Sequence, residues 1–137
     1  MSGYSGTPLA KKLGIKEGFK VYVENAPQNY LKRLGPIPHG ATATESLSDD
    51  LDIAHLFTKS KNDLQKRLTF LLKKIKQNGM IWVSWPKKAS GVATDVTEDV
   101  VRQIALPLGL VDTKVCAVDE IWSGLRLVIR KELRRNP

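Results

Sequence analysis

The sequence predicts a single α/β domain: a three-layer sandwich around a mostly parallel sheet, closed by an antiparallel C-terminal hairpin. Three observations carry this expectation. Residues 80–85 are apolar on both alternating sets except for Ser84, the pattern of a central strand covered on both faces. Strand and helix patterns alternate along the chain, an order that calls for parallel strands with right-handed crossovers. The last two strand patterns lie too close together for a crossover and must pair as a hairpin.

Thr7-Pro8-Leu9 reads as a helix start, with Thr7 as N-cap and Pro8 at the first helical position, where its missing N–H costs nothing. Gly14 closes that short helix. Residues 19–24 alternate with period two and read as a strand ended by Asn25-Ala26-Pro27. Residues 28–34 form a short helix stopped by Gly35-Pro36, and residues 41–45 an edge strand in an otherwise loop-like stretch. Residues 51–58 are the second strand. Ser60 or Asn62 then caps a helix with Leu64, Leu68, Leu71, Leu72 and Ile75 on one face, ended by Gly79. After the 80–85 strand, Asp95-x-x-Glu98 has the form of a capping box, and Val100, Val101, Ile104, Ala105 and Leu108 supply the next apolar stripe. Pro107 and Gly109 stop it. Residues 114–119 are a strand, Trp122-Ser123-Gly124 a turn, and residues 125–130 the last strand. Residues 1–17 form an N-terminal arm and short helix, and the polar tail 131–137 frays.

At 137 residues the chain suffices for one domain with a real core. Cys116 is the only cysteine, which excludes an intrachain disulfide or a Cys-based zinc site, and it reads as a small core residue. His39 and His55 have no second ligand at metal-binding spacing, so no metal is expected. No segment has the length of a membrane span, and residues 1–20 lack the apolar run of a signal peptide. A cytoplasmic protein without a membrane partner is the expectation. The net charge of +8 is concentrated: residues 59–88 hold nine Lys/Arg and one acid, leaving thirteen of each sign elsewhere. Such a local positive field suits an anionic partner, or is simply a solvated helix face.

Open α/β sheets hold their ligands outside the carboxyl ends of the strands, which gives this chain a Rossmann-like rim. With the last strand slotted between those at 80–85 and 114–119, that rim collects Asn25, Lys59, Ser60, Trp85, Lys87, Lys88, Ser90, Thr94, Asp95, Asp119, Glu120, Trp122 and Ser123. The 87–91 loop offers two ammonium groups, a hydroxyl and a glycine ahead of a helix, all suited to an anion. It lacks the spacing of a P-loop, and the first strand is not followed by Gly-x-Gly-x-x-Gly. The leading expectation is a binding module for an anionic ligand of nucleotide or phosphate type. Lys87 and Lys88 supply charge, Asn25, Ser90, Thr94 and Ser123 hydrogen bonds, and Trp85 and Trp122 a stacking wall. Its alternatives are a transferase with a degenerate nucleotide or S-adenosylmethionine site, using Asp95 or Asp119 as general base, and a protein-interaction subunit. Nucleic-acid binding through Lys66, Arg67, Lys73 and Lys74 has no accompanying motif. Asp119 reads first as a turn acid hydrogen-bonding backbone amides, ahead of a base, and the tryptophans read equally as core. Neither Ser90 nor Ser123 sits in a nucleophile elbow. The sequence names no cofactor, and ligand identity and oligomeric state are not legible in it.

The stretches Gly3-Tyr4-Ser5-Gly6-Thr7-Pro8-Leu9, Trp82-Val83-Ser84-Trp85-Pro86-Lys87-Lys88 and Asp119-Glu120-Ile121-Trp122-Ser123-Gly124-Leu125-Arg126 resemble a bacterial family of uncharacterised proteins, domain of unknown function 3052. The resemblance spans nearly the whole chain. It marks Pro86, Lys87, Trp122, Ser123 and Gly124 as family-like positions, implies a bacterial setting and assigns no reaction. A looser, fold-level resemblance is to the latter half of class I methyltransferases. There too a helix ending in Lys-x-x-Gly, here Lys76 to Gly79, precedes a hydrophobic strand, and an antiparallel hairpin closes the sheet. Those enzymes bind S-adenosylmethionine through a Gly-rich loop after the first strand, which Asn25-Ala26-Pro27 does not supply, so the likeness licenses no activity.

Overall fold

The computed structural model describes residues 7–135. The expected N-terminal arm through residue 6, with the Gly3 to Gly6 part of the family-like stretch, and the last two residues of the tail lie outside them. Six strands form one sheet: β1 (Lys20–Glu24), β2 (Thr42–Thr44), β3 (Leu51–Phe57), β4 (Ile75–Pro86), β5 (Leu110–Ala117) and β6 (Trp122–Ile129). Their order is β2-β1-β3-β4-β6-β5. The β1–β2, β1–β3 and β3–β4 pairs are parallel, and β6 runs antiparallel between β4 and β5. This is the expected sandwich, with the hairpin's last strand in the expected slot.

Among the described residues four α-helices cover the sheet: α1 (Leu9–Leu13), α2 (Tyr30–Leu34), α3 (Lys61–Leu72) and α4 (Glu98–Ala105). One face packs Leu64, Leu68 and Leu71 of α3 and Val101 and Ile104 of α4 against Leu56, Ile81, Val83 and Leu125. The other packs Leu9 and Leu13 of α1 and Tyr30 and Leu34 of α2 against Ile53, Phe57 and Trp82. Trp82, fully buried, donates its indole N–H to the Leu13 carbonyl at 3.0 Å, which fixes α1 on the sheet. All seven residues of β3 are buried, so the strand is covered on both faces and its apolar residues add to the driving force for folding.

Several boundaries differ from the sequence pattern, each for a local reason. Helix α3 stops at Leu72, not at Gly79, because Ile75 already pairs with Leu51 as β4 begins. The i, i+4 series from Leu64 to Ile75 is apolar in both conformations, so periodicity does not separate them. Gly79 lies inside β4 beside a register irregularity, where an added Cβ would stand 2.9 Å from the Leu51 carbonyl oxygen. It is a bulge glycine, and the Lys76 to Gly79 segment is strand. Helix α4 is capped by Thr97, whose hydroxyl accepts from the Val100 amide, and Asp95 is spent elsewhere. The N-cap of α1 is Pro8, without a side-chain cap from Thr7. Trp122 opens β6, so the hairpin turn sits at 118–121. In the tail, Lys131–Leu133 form a 3₁₀ turn and Arg134 donates to the Ile129 carbonyl, order that the polar composition hides.

Much of the basic run is matched by acids from other segments. Arg67 forks onto Glu24 with contacts of 2.7 and 2.6 Å, Lys74 pairs with Asp49 and Lys76 with Asp52. Glu24 also accepts from the Tyr22 hydroxyl, and despite burial these donors hold its carboxyl below the usual range. Of the four basic residues weighed for nucleic acid, Lys66, Arg67, Lys73 and Lys74, two are thus already paired, Arg67 and Lys74.

Candidate functional site

Strands β1, β2, β3 and β4 end together, and two clefts open at that edge. The first, of about 490 Å³, lies over the ends of β1 and β2. Val23, Ala26, Pro27, Tyr30 and Ala43 make its apolar walls, and Leu31, 67% exposed, stands at its mouth. Its polar lining is Gln28, Thr44 and Glu45, with no basic residue. The second cleft, of about 390 Å³, lies where the chain leaves β1 and β3 on opposite sides. It is lined by Asn25, Pro27, Phe57, Thr58, Lys59, Ser60, Asp63 and Trp122, so Pro27 borders both clefts.

The loop after β1 has a left-handed residue, Asn25 at φ 58°, in a conformation glycine ordinarily supplies. Pro27, two residues on, has no backbone N–H, so this turn offers fewer donors to an anion than a glycine-rich loop would.

Beneath the clefts runs a polar chain that the sequence did not reveal. The Tyr30 hydroxyl is 2.9 Å from His55 Nδ1, and His55 Nε2 is 2.8 Å from the Ser84 hydroxyl. His55 and Ser84 are fully buried. Burial alone pushes the imidazole down to about 3, so it is neutral, and burial pushes the Tyr30 phenol up. His55 stacks on Phe57 at 4.3 Å, and Phe57 meets the edges of Tyr30 and Trp122 at 5.5 and 5.1 Å. One aromatic series thus passes from the wall of the first cleft to the wall of the second. The available signal was a polar residue in each of two adjacent apolar runs, His55 and Ser84; nothing in the spacing reports that they are diagonal neighbours on one face.

Of the expected ligand residues, Asn25 and Trp122 line the second cleft, and the rim residues Lys59 and Ser60 join them. Trp85 is core, 6% exposed, and presents no stacking face. The Ser90 hydroxyl donates to the Lys87 carbonyl and accepts from the Val92 amide; that of Thr94 donates to the Lys59 carbonyl and accepts from Val96. Both hydroxyls hold the loop together. Lys88 is exposed and Ser123 lies in the β6 ladder, opposite Trp85. The 87–91 loop makes its own 3₁₀ turn, Lys88–Ser90, and does not run directly into α4, which starts at Glu98. Asp95 accepts from the Lys61 amide at 2.6 Å and so caps α3 from outside. Asp119 is buried and accepts from the Ile121 and Trp122 amides at 2.8 Å each, a turn acid in place of a base. Lys87 differs from all of these. Its amide donates to the Ile121 carbonyl at 2.7 Å, while its ammonium is buried without a hydrogen-bond partner among the described residues. Cys116 is half-buried, and burial pushes its thiol up. No group of three His, Cys, Asp or Glu placed to hold a metal occurs among the described residues.

The fold is that of class I S-adenosylmethionine-dependent methyltransferases. A SAM-dependent methyltransferase from Aquifex aeolicus matches with a TM-score of 0.60 and 14% identity, over 87% of each chain. A TehB-like SAM-dependent methyltransferase from Corynebacterium glutamicum gives 0.58 and 11%, over 94% of this chain and 91% of that one. Magnesium protoporphyrin IX methyltransferase from Synechocystis PCC 6803, solved with bound SAM, gives 0.55 and 9%, over 88% and 74%. At these identities the likeness is one of fold alone. No curated protein matches the sequence. No helix among the described residues is long and apolar enough to cross a membrane. The matching family model covers residues 38–131, including the Pro-Lys and Trp-Ser-Gly stretches, and the chain belongs to that family, described as "Protein of unknown function (DUF3052)".

Proposed function

We propose that this protein is a small-molecule binding module whose first cleft takes a nucleoside. The observation that carries the reading is the lining of that cleft: apolar walls from Val23, Ala26, Pro27, Tyr30 and Ala43, with the Glu45 carboxylate just past β2. Such walls suit a planar base, and a carboxylate at the end of the second strand accepts hydrogen bonds from the two ribose hydroxyls. The lining has no basic side chain, so a nucleoside fits it better than a nucleotide does.

S-Adenosylmethionine, bound by proteins of the same fold, fits in part. Its nucleoside half suits the cleft, whereas its amino-acid end meets Ala26 and Pro27 where a glycine-rich loop would allow close backbone approach. No transfer step follows from such a site, and binding is the function its geometry supports best.

Calorimetric titration with adenosine, S-adenosylhomocysteine and AMP tests this. Adenosine and S-adenosylhomocysteine are expected to bind within roughly threefold of each other, AMP more weakly, and Glu45→Ala to weaken adenosine by roughly tenfold. Absence of adenosine binding to the folded protein overturns the reading. Binding of S-adenosylhomocysteine far tighter than adenosine moves it to a transferase site.

A further inference from the structure

The second cleft has a different chemistry, and the geometry points to a second ligand there: a planar aromatic ring carrying a phosphate or carboxylate group. The ring's surface is supplied by Trp122, half-buried and held edge-on by Phe57, with Pro27 beside it. A side chain already fixed by packing loses little freedom when a ring stacks on it.

The charge comes from Lys59 in the lining, and a second lysine, Lys87, leaves the strand paired with that of Trp122. Lys59 lines the cleft, is exposed, and makes no ion pair among the described residues. Lys87, outside the lining itself, follows Pro86, the register partner of Trp122, and its ammonium has no hydrogen-bond partner among the described residues. A buried ammonium without a partner is uncommon, because its desolvation is uncompensated; an anion at this edge supplies the missing partner once the side chain turns out to meet it. The one carboxylate in the lining, Asp63, is already engaged by its own neighbours. It accepts from the Thr58 hydroxyl at 3.2 Å and stands in the first turn of α3, at the positive end of the helix dipole. Lys59 is therefore the charged group of the lining left to meet a ligand. The anionic partner that the basic sequence implied has a place here and none in the first cleft.

Phenyl phosphate, phenol and inorganic phosphate, titrated separately by calorimetry, divide ring from charge. Phenyl phosphate is expected to bind at least about tenfold tighter than either fragment. Lys59→Ala, at an exposed position, should weaken it by roughly tenfold with an unchanged melting temperature, and Trp122→Ala should weaken it similarly. Phenyl phosphate binding no tighter than inorganic phosphate overturns the inference, as does binding indifferent to Lys59→Ala. Should the tryptophan variant fail to fold, Lys59→Ala decides alone. Adenosine titrated into the same samples separates the two clefts: retained adenosine binding without phenyl phosphate binding rejects only the second ligand, and the converse rejects only the first.

Discussion

The Tyr30 hydroxyl and His55 Nδ1 meet at 2.9 Å inside the sheet's α1/α2 face, joining a cleft wall to the strand that carries the core. Tyr30→Phe keeps the ring against the first cleft but leaves one imidazole nitrogen unsatisfied. It is expected to lower stability by about 1–3 kcal/mol, the cost of a buried polar atom without its partner. Urea unfolding measures this. A change below about 0.5 kcal/mol would contradict a working hydrogen bond.

The same histidine sets a pH dependence. Its folded value is about 3 against an ordinary 6.5, so between those values the unfolded chain binds a proton that the native state refuses. Stability therefore falls as pH drops below 6.5, by up to about 1.4 kcal/mol per pH unit for this one site. His55→Gln should flatten the slope between pH 5 and 6.5, read from melting curves across that window; an unchanged slope assigns it to other groups.

The ion pairs differ in worth according to geometry. Arg67 binds Glu24 through two contacts, with the carboxylate only 12% exposed, whereas Lys74 meets an Asp49 that is 74% exposed. Arg67→Met should cost about 1–2 kcal/mol and Lys74→Met under about 0.5, because exposed pairs are screened and entropically costly. Equal losses in chemical denaturation would refute the distinction.

Glycine substitutions separate a steric demand from a conformational one. Gly79→Ala places a methyl 2.9 Å from the Leu51 carbonyl and is expected to cost about 1–3 kcal/mol through displacement of β4 against β3. Gly91→Ala meets nothing within 4 Å and carries only the left-handed penalty at φ 75°, about 1 kcal/mol. Similar losses for the two, measured by urea unfolding, would count against the bulge at Gly79.

The fold was legible because its signals are long and mutually consistent: the doubly apolar strand at Ile81 to Trp85, the leucine stripe of α3, and a hairpin too short to cross over. The errors cluster where one side chain serves two conformations equally, as Ile75 does at the end of a helical stripe and the start of a strand. The rim was legible as a place, since parallel strands end together wherever their helices cross back. Its lining was not. Ser90, Thr94 and Asp95 carry the right atoms for a ligand but spend them on backbone groups, Ser90 within its own loop and Thr94 and Asp95 on Lys59 and Lys61, and sequence does not report such occupancy. Tyr30 and Glu45 read as part of a short helix and the end of an edge strand, and only the β1–β2 pairing brings them to one cleft.

The most direct test is to record amide chemical shifts of the isotopically labelled protein while adenosine is added. Perturbations centred on Ala26, Gln28, Ala43 and Glu45 are expected, with those of Lys66, Lys73 and Lys88 unmoved. Shifts centred on α3 or the 87–91 loop, or none at saturating adenosine, would contradict a nucleoside site between β1 and β2.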